Sequence, residues 1–207
     1  MIRAVPLLVA VALCAPGASL AQTIRFRFDG ISLTYQEVRE GRSSTGQGEG
    51  AGLELRIRRF RLDVRGYRAD ITPDSGGASY EFRQVDVRVS FAVSELLALE
   101  IGGGRRYVDP ENSTQEVGLV RFGVVSENRI NRLADVWVRG AYLAPRFSGG
   151  GSVDLAFEFQ LGVGIGTANK RFRFHAEYEF QRIDRQVGFT DVPIQMSLAR
   201  AGIAFGF

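Results

Sequence analysis

Apolar residues recur at every second position along almost the whole chain, and that periodicity leaves few folds open. In "DLAFEFQLGVGIG", Leu155, Phe157, Phe159, Leu161, Val163 and Ile165 share one face, opposite Asp154, Ala156, Glu158, Gln160, Gly162 and Gly164. "RFRFHAEYEF" sets Phe172, Phe174, Ala176, Tyr178 and Phe180 against Arg173, His175, Glu177 and Glu179. "QVDVRVSFAV" sets Val85, Val87, Val89, Phe91 and Val93 against Asp86, Arg88 and Ser90. A helix would smear these charges around its circumference, whereas a strand sorts them onto two faces. The pattern predicts an all-β chain.

Strands are expected at 30–39, 48–57, 60–71, 79–93, 96–107, 116–125, 133–143, 153–166, 171–183 and 194–207. The apolar set changes phase across Arg58-Arg59, from Leu53, Leu55 and Ile57 to Phe60, Leu62 and Val64. A tight hairpin does this and makes ten strands; a bulge within one strand would reduce the count to eight. "TIRFRFDG" reads as a lead-in or as an early start to the first strand. The connections alternate between long polar segments such as "REGRSSTGQGEG" and "DRQVGFTDVP" and mostly short ones such as Arg58-Arg59, Ser94-Glu95 and "TANK". Transmembrane β-barrels show this asymmetry, and an even strand count returns both termini to the periplasm. The expected fold is thus a single closed, antiparallel, up-and-down transmembrane β-barrel.

"MIRAVPLLVAVALCAPGASLAQ" has a positive start, an apolar run too short to span a bilayer, and small residues at Ser19 and Ala21. It reads as a secretory signal peptide over 1–21, leaving 22–207 as the barrel. The only cysteine, Cys14, leaves with it, so the mature chain has no thiol for disulfides or thiolate chemistry. A formal net charge of +3 argues against nucleic acid as a partner.

Two arrangements fit the alternation. A soluble periplasmic lipid carrier would turn its apolar face inward; a membrane barrel turns it outward. The opposite face mixes charges with Gly102, Gly104, Gly162, Gly164 and Gly202, which suits a cramped lumen filled by ion pairs. Aromatics also gather towards strand ends: Phe60, Phe122, Phe172, Phe205 and Phe207 on the short-turn side, and Tyr35, Tyr80, Tyr107, Tyr142 and Phe180 on the long-loop side. Two interface girdles would account for them.

The chain closes on "RAGIAFGF", where Arg200, Gly202, Phe205 and Phe207 occupy the places of a polar residue, a glycine, a hydrophobic residue and a terminal aromatic. This resembles the C-terminal assembly signal of outer-membrane β-barrel proteins, and the whole pattern is similar to small barrels of the outer-membrane β-barrel-domain type. The resemblance implies outer-membrane localisation, outer-membrane lipid as surroundings, and recognition of the last strand by the barrel assembly machinery. The long loops are then candidates for an extracellular partner.

The expected lumen network is Glu54, Arg56, Asp63, Arg65, Asp86, Arg88, Glu100, Arg139, Glu158, Arg173, His175, Glu177, Glu179 and Arg200. Arg39, Arg42, Arg68, Arg105, Arg106, Arg146, Arg182 and Arg185 fall near the outer strand ends, where guanidinium groups could pair with lipid phosphates. Arg121 is less tidy, because Leu119 shares its face. His175 is the only histidine; it stands in His-x-Glu, not in the Asp-x-His of omptin-like proteases, and no serine accompanies it on its strand as in deacylase-like barrels. One histidine and no mature cysteine cannot build a metal site of the usual kind. No cofactor and no catalytic residue is expected. The leading expectation is a non-enzymatic barrel with a filled lumen and a structural, adhesive or surface-interaction role. A narrow pore, with lumen glycines leaving a water path, is the alternative.

Overall fold

Each alternating segment forms a strand, and each strand hydrogen-bonds to the next. In the computed structural model the described residues are 22–37, 41–110, 115–167 and 171–207; the signal peptide expected over 1–21, and Arg39, lie outside them. The strands are β1 Gln22–Glu37, β2 Arg42–Ile57, β3 Phe60–Pro73, β4 Tyr80–Ala92, β5 Leu97–Asp109, β6 Val117–Arg129, β7 Ala134–Phe147, β8 Ser152–Gly166, β9 Phe172–Val187, the two-residue β10 Thr190–Asp191, and β11 Ile194–Gly206. All pairings are antiparallel between sequence neighbours, and β11 pairs with both β9 and β1. With β10 only a short extension on β9, the barrel has ten strands and closes on itself.

Arg58-Arg59 is a hairpin, since Ile57 pairs with Phe60 on the neighbouring strand. The first strand begins at Gln22 rather than at residue 30, so "TIRFRFDG" belongs to β1. Its end is fastened by reciprocal backbone bonds between Ile24 and Phe207, at 3.3 and 3.0 Å. The start of β1, the end of β11 and the turns at Arg58, Ser94, Ile130 and Thr167 therefore share one end of the barrel, here called the terminus end. The connections after Glu37, Pro73, Asp109, Phe147 and Val187 form the loop end.

The two faces exchange chemistry part-way along the barrel. Near the terminus end, β3 turns Phe60, Leu62 and Val64 outward and Arg61, Asp63 and Arg65 inward; towards the loop end it turns Arg68, Asp70 and Thr72 outward and Tyr67, Ala69 and Ile71 inward. β4 does the same, with Val85, Val87, Val89 and Phe91 outward below Arg83 and Glu81, and Phe82 inward above Gln84, Asp86 and Arg88. On β1 the outward set passes from Phe26 and Phe28 to Ser32 and Thr34, while the inward set passes from Arg27 and Asp29 to Ile31, Leu33 and Tyr35. No residue is inserted at these points on β1, β3 or β4; only the chemistry of each face changes.

Solvent explains the exchange. Where hydrocarbon surrounds the barrel, outward residues must be apolar and the charges are confined to the lumen. Beyond the bilayer, water surrounds the barrel, and inward residues can pack as an ordinary core. The outward apolar run from Val85 on β4 to Val93 just past its end rises about 20 Å at ~3.3 Å per residue and ~40° tilt, near the height of a barrel's lipid-facing band. Ile31, Leu33, Tyr35, Tyr67, Ile71, Phe82, Leu119, Leu143, Met196 and Leu198 belong to the buried apolar cluster above it. Tyr35 is thus a core residue and not part of an outer aromatic girdle, because β1 has already exchanged faces below it. Tyr107 and Tyr142 do face outward.

This arrangement predicts a position-dependent cost for the same substitution. Val87→Arg, on the apolar outer band, should destabilise the barrel by about 2–4 kcal/mol in lipid. Asp70→Arg, outward on β3 beyond the exchange, should stay within about 0.5 kcal/mol. Urea unfolding in phospholipid vesicles measures both.

Candidate functional site

The lumen is the site that the sequence singles out, and side chains from opposite walls fill it. Glu158 on β8 accepts hydrogen bonds from Arg88 Nη2 at 2.9 Å, Arg121 Nε at 2.9 Å and Gln181 Nε2 at 3.0 Å. Arg121 also donates to Asp86 at 2.6 Å, and Gln84 donates to Asp86 at 2.8 Å. Glu177 holds Arg65 at 2.6 Å, Arg27, and Arg200 at 3.6 Å. Arg65 reaches back to Asp63, Arg200 pairs with Glu179 at 3.0 Å, and Arg139 pairs with Glu100 at 3.1 Å. Among the described residues, the buried set holds eight arginines and seven carboxylates, so the two signs are nearly balanced in number.

These pairs span the barrel rather than decorate its wall. Arg88 on β4 and Arg121 on β6 meet on one carboxylate of β8, and the carboxylate of Glu177 on β9 receives arginines from β1 and β3. Close approach of backbone makes room for the crossings. A Cβ on Gly104 would overlap the Asp86 carboxylate and the Arg121 guanidinium, and one on Gly162 would overlap the Trp137 ring. The glycines expected to leave a water path are covered by their neighbours' side chains.

Arg106 joins the ionic layer to the apolar one. It donates to Gln181 at 2.9 Å, and its guanidinium lies 5.0 Å above the Phe82 ring. Towards the terminus end the network loosens: Glu127 binds Arg56 at 2.9 Å and Arg61 at 3.0 Å, while Glu54 binds Arg25 and Arg56. Arg173 pairs with Asp135 and covers Trp137 at 5.1 Å. His175 is buried with its ring against the Asp29 carboxylate, opposite Gly164 on one neighbouring strand and Gly202 on the other.

Every residue of the expected lumen network faces the interior, with Arg56 and Arg173 only partly buried near the terminus end. Arg27, Asp29, Gln84 and Gln181 join the same layer from outside the expected network, as do Gln160 and Arg121, expected on the charged face and beside Leu119, and Arg106, expected at the outer rim. The glutamines gave a signal, since each sits on the charged face of its alternating strand. Arg121 and Leu119 both face inward, on either side of the exchange.

The expected outer-rim set divides. Arg106 and Arg185 are buried in the lumen, a correction that strand geometry explains. Adjacent Arg105 and Arg106 must point to opposite faces, and Arg185 shares the inward phase of Ile183, lying 4.1 Å above the Phe147 ring. Arg68 pairs with Glu49 at 2.6 Å, Arg182 with Asp184 at 2.9 Å, and Arg105 lies 5.1 Å over Tyr107. Arg42 and Arg146 are exposed. Of the assembly-signal residues, Arg200 points inward while Phe205 faces outward between Phe28 and Phe172. Gly202 is partly exposed beside His175, and Phe207 is exposed, in edge contact with Phe26.

A cavity of about 930 Å³ opens at the loop end, bounded by Tyr35, Tyr80, Arg185 and Ile194, and one of about 540 Å³ opens at the terminus end. Between them lie the two packed layers.

No family model matches the chain, and no curated protein matches it. Among solved structures, an outer membrane channel from Pseudomonas putida F1 aligns with a TM-score of 0.51 at 9% identity, over 92% of this chain and 97% of that one. The fold is that of an outer-membrane β-barrel. Neisserial surface protein A aligns over 89% of this chain and 97% of its own at 14% identity and TM-score 0.47. The outer membrane protease OmpT of Escherichia coli aligns over 93% and 99% at 9% identity and TM-score 0.49. At these identities the likeness concerns the fold, and no residue's role is carried across.

Removing one partner of a buried ion pair strands the other charges, at a cost of about 3–5 kcal/mol. Glu158→Ala should therefore lower stability by that amount, read as an earlier loss of heat-modifiable gel mobility. Trp137 is the only tryptophan and faces the lumen. Its fluorescence should resist quenching by brominated lipids, whereas Trp137→Phe/Phe122→Trp, with the ring moved to the outer face, should be quenched.

Proposed function

We propose that the protein is a sealed outer-membrane barrel that acts as a rigid surface-interaction module, not as a conduit or an enzyme. One observation carries the reading: an ionic layer and an apolar layer, stacked along the same lumen, both filled by almost completely buried side chains. Arg88, Arg121 and Arg139 are at most 2% exposed in the first, and Leu33, Tyr35 and Phe82 in the second. Dehydrated ion pairs and close-packed hydrocarbon are both poor paths for water and ions. The polar outer wall beyond the lipid band then serves as a pedestal for the loops.

In this reading the termini and short turns face the periplasm, following the even strand count. The strand ending in Phe205 and Phe207 is the segment that the barrel assembly machinery engages, and the loops meet an extracellular partner. His175 is held by Asp29 in the barrel interior, away from the loop end, which supports a structural role. A narrow pore is the second reading, favoured by the two cavities that face each other across the plug.

Planar-bilayer recording on the refolded barrel separates the two. The sealed reading expects no discrete current steps from the wild type. Steps of reproducible size in the wild type, altered by Arg88→Ala or Glu158→Ala, would establish a pore instead. A His175→Ala variant, which leaves the Asp29 carboxylate without this partner, should fold but lose its folded mobility at a lower temperature than the wild type.

A further inference from the structure

The strand ends show an unexpected distribution of unpaired charge. At the loop end, Arg68 and Arg182 have carboxylate partners and Arg105 lies over a tyrosine ring, while Arg146 is exposed with no such contact among the described residues. At the terminus end, Arg58, Arg59, Arg129 and Arg132 are exposed and make no ion pair, side-chain hydrogen bond or ring contact among the described residues. All four line the same cavity of about 540 Å³. Its remaining arginines, deeper in the bowl, are occupied: Arg56 and Arg61 by Glu127, Arg25 by Glu54, and Arg173 by Asp135. Glu95 is a further acidic residue at the rim, leaving the bowl with a clear positive excess.

Two more features mark this rim. Arg58 has φ 53°, a left-handed conformation in which glycine or asparagine is far cheaper, yet the position carries a guanidinium. The neighbouring turns also present apolar side chains to the outside: Leu96 is 56% exposed and Ile130 66%. Guanidinium groups beside exposed apolar tips match the boundary between a phosphate layer and hydrocarbon. Arginine's planar fork suits phosphate oxygens, which accept two parallel hydrogen bonds from it.

We propose that the terminus-end bowl binds a phosphoryl group through Arg58, Arg59, Arg129 and Arg132. The group is carried by a lipid headgroup at the membrane surface or by a soluble phosphorylated ligand. The deeper ion pairs hold the bowl open by keeping Arg56, Arg61 and Arg173 tied to carboxylates. The rim arginines supply the free donors.

The test uses the whole barrel, with one arm for each source. In nanodiscs of phosphatidylethanolamine with a minor fraction of phosphatidylglycerol, native mass spectrometry reads lipid retained by the protein. In detergent, calorimetry reads binding of inorganic pyrophosphate. The terminus-end variant is Arg58→Asn/Arg59→Ser/Arg129→Ser/Arg132→Ser. The control, Arg68→Ser/Arg105→Ser/Arg146→Ser/Arg182→Ser, removes the same charge at the loop end. The single variant Arg58→Asn suits the backbone at that turn and should fold even if the quadruple one does not.

The expected result is binding by wild type and control, weakened at least tenfold in the terminus-end variant and measurably in Arg58→Asn. Retention of phosphatidylglycerol without pyrophosphate binding assigns the site to lipid, and the reverse assigns it to a soluble ligand. Absence of binding in both arms, or equal weakening by the two quadruple variants, overturns the proposal.

Discussion

Backbone hydrogen bonding in the absence of water is the constraint on which everything else rests. Inside hydrocarbon, each unpaired N–H or C=O costs several kcal/mol, so a sheet survives there only if it has no edge. Closure of β11 onto β1 meets that demand, and the Ile24–Phe207 bonds carry it to the last residue. Once the sheet is closed, its two faces can no longer be chosen independently along the chain. Every inward position on all ten strands faces the same narrow volume.

That volume is filled by two different kinds of chemistry, and the bilayer decides which goes where. Alongside the lipid band, apolar residues are recruited to the outside, so the interior is left with arginines, carboxylates and glutamines. Their desolvation is offset most where one charge finds several partners: Glu158 alone receives two arginines and a glutamine. Beyond the band the outside must be polar, and the interior becomes an aliphatic and aromatic core around Leu33, Phe82 and Met196. Arg106 spans the junction by offering its edge to Gln181 and its face to Phe82. A single continuous lumen therefore contains a plug that resembles a salt crystal at one level and a soluble protein's core at the next.

Much of this was legible in the residues. Alternation placed Val87, Phe159 and Phe174 on one face and Arg88, Glu158 and His175 on the other, and the structure sorts them the same way. The exchange of faces was also written in the sequence, as changes of apolar phase at Asp29-Gly30, Gly66-Tyr67 and Leu119-Val120. Each of these resembles a local irregularity when met alone, which is why "TIRFRFDG" admits two readings and Arg121 shares a face with Leu119. Their meaning emerges only when the switches on neighbouring strands align at a similar height.

The sequence by itself determined the all-β, antiparallel character and which residues of a strand share a face, because a period of two and the asymmetry of the connections are local properties; the count of ten strands, left open against eight, came with the pairing of Ile57 to Phe60. Only the tertiary structure decided which arginine meets which carboxylate, and that Arg58, Arg59, Arg129 and Arg132 surround one cavity without side-chain partners among the described residues. Those outcomes depend on register around a closed ring, where strands distant in sequence face each other across the lumen. No periodicity within a single strand encodes that distance.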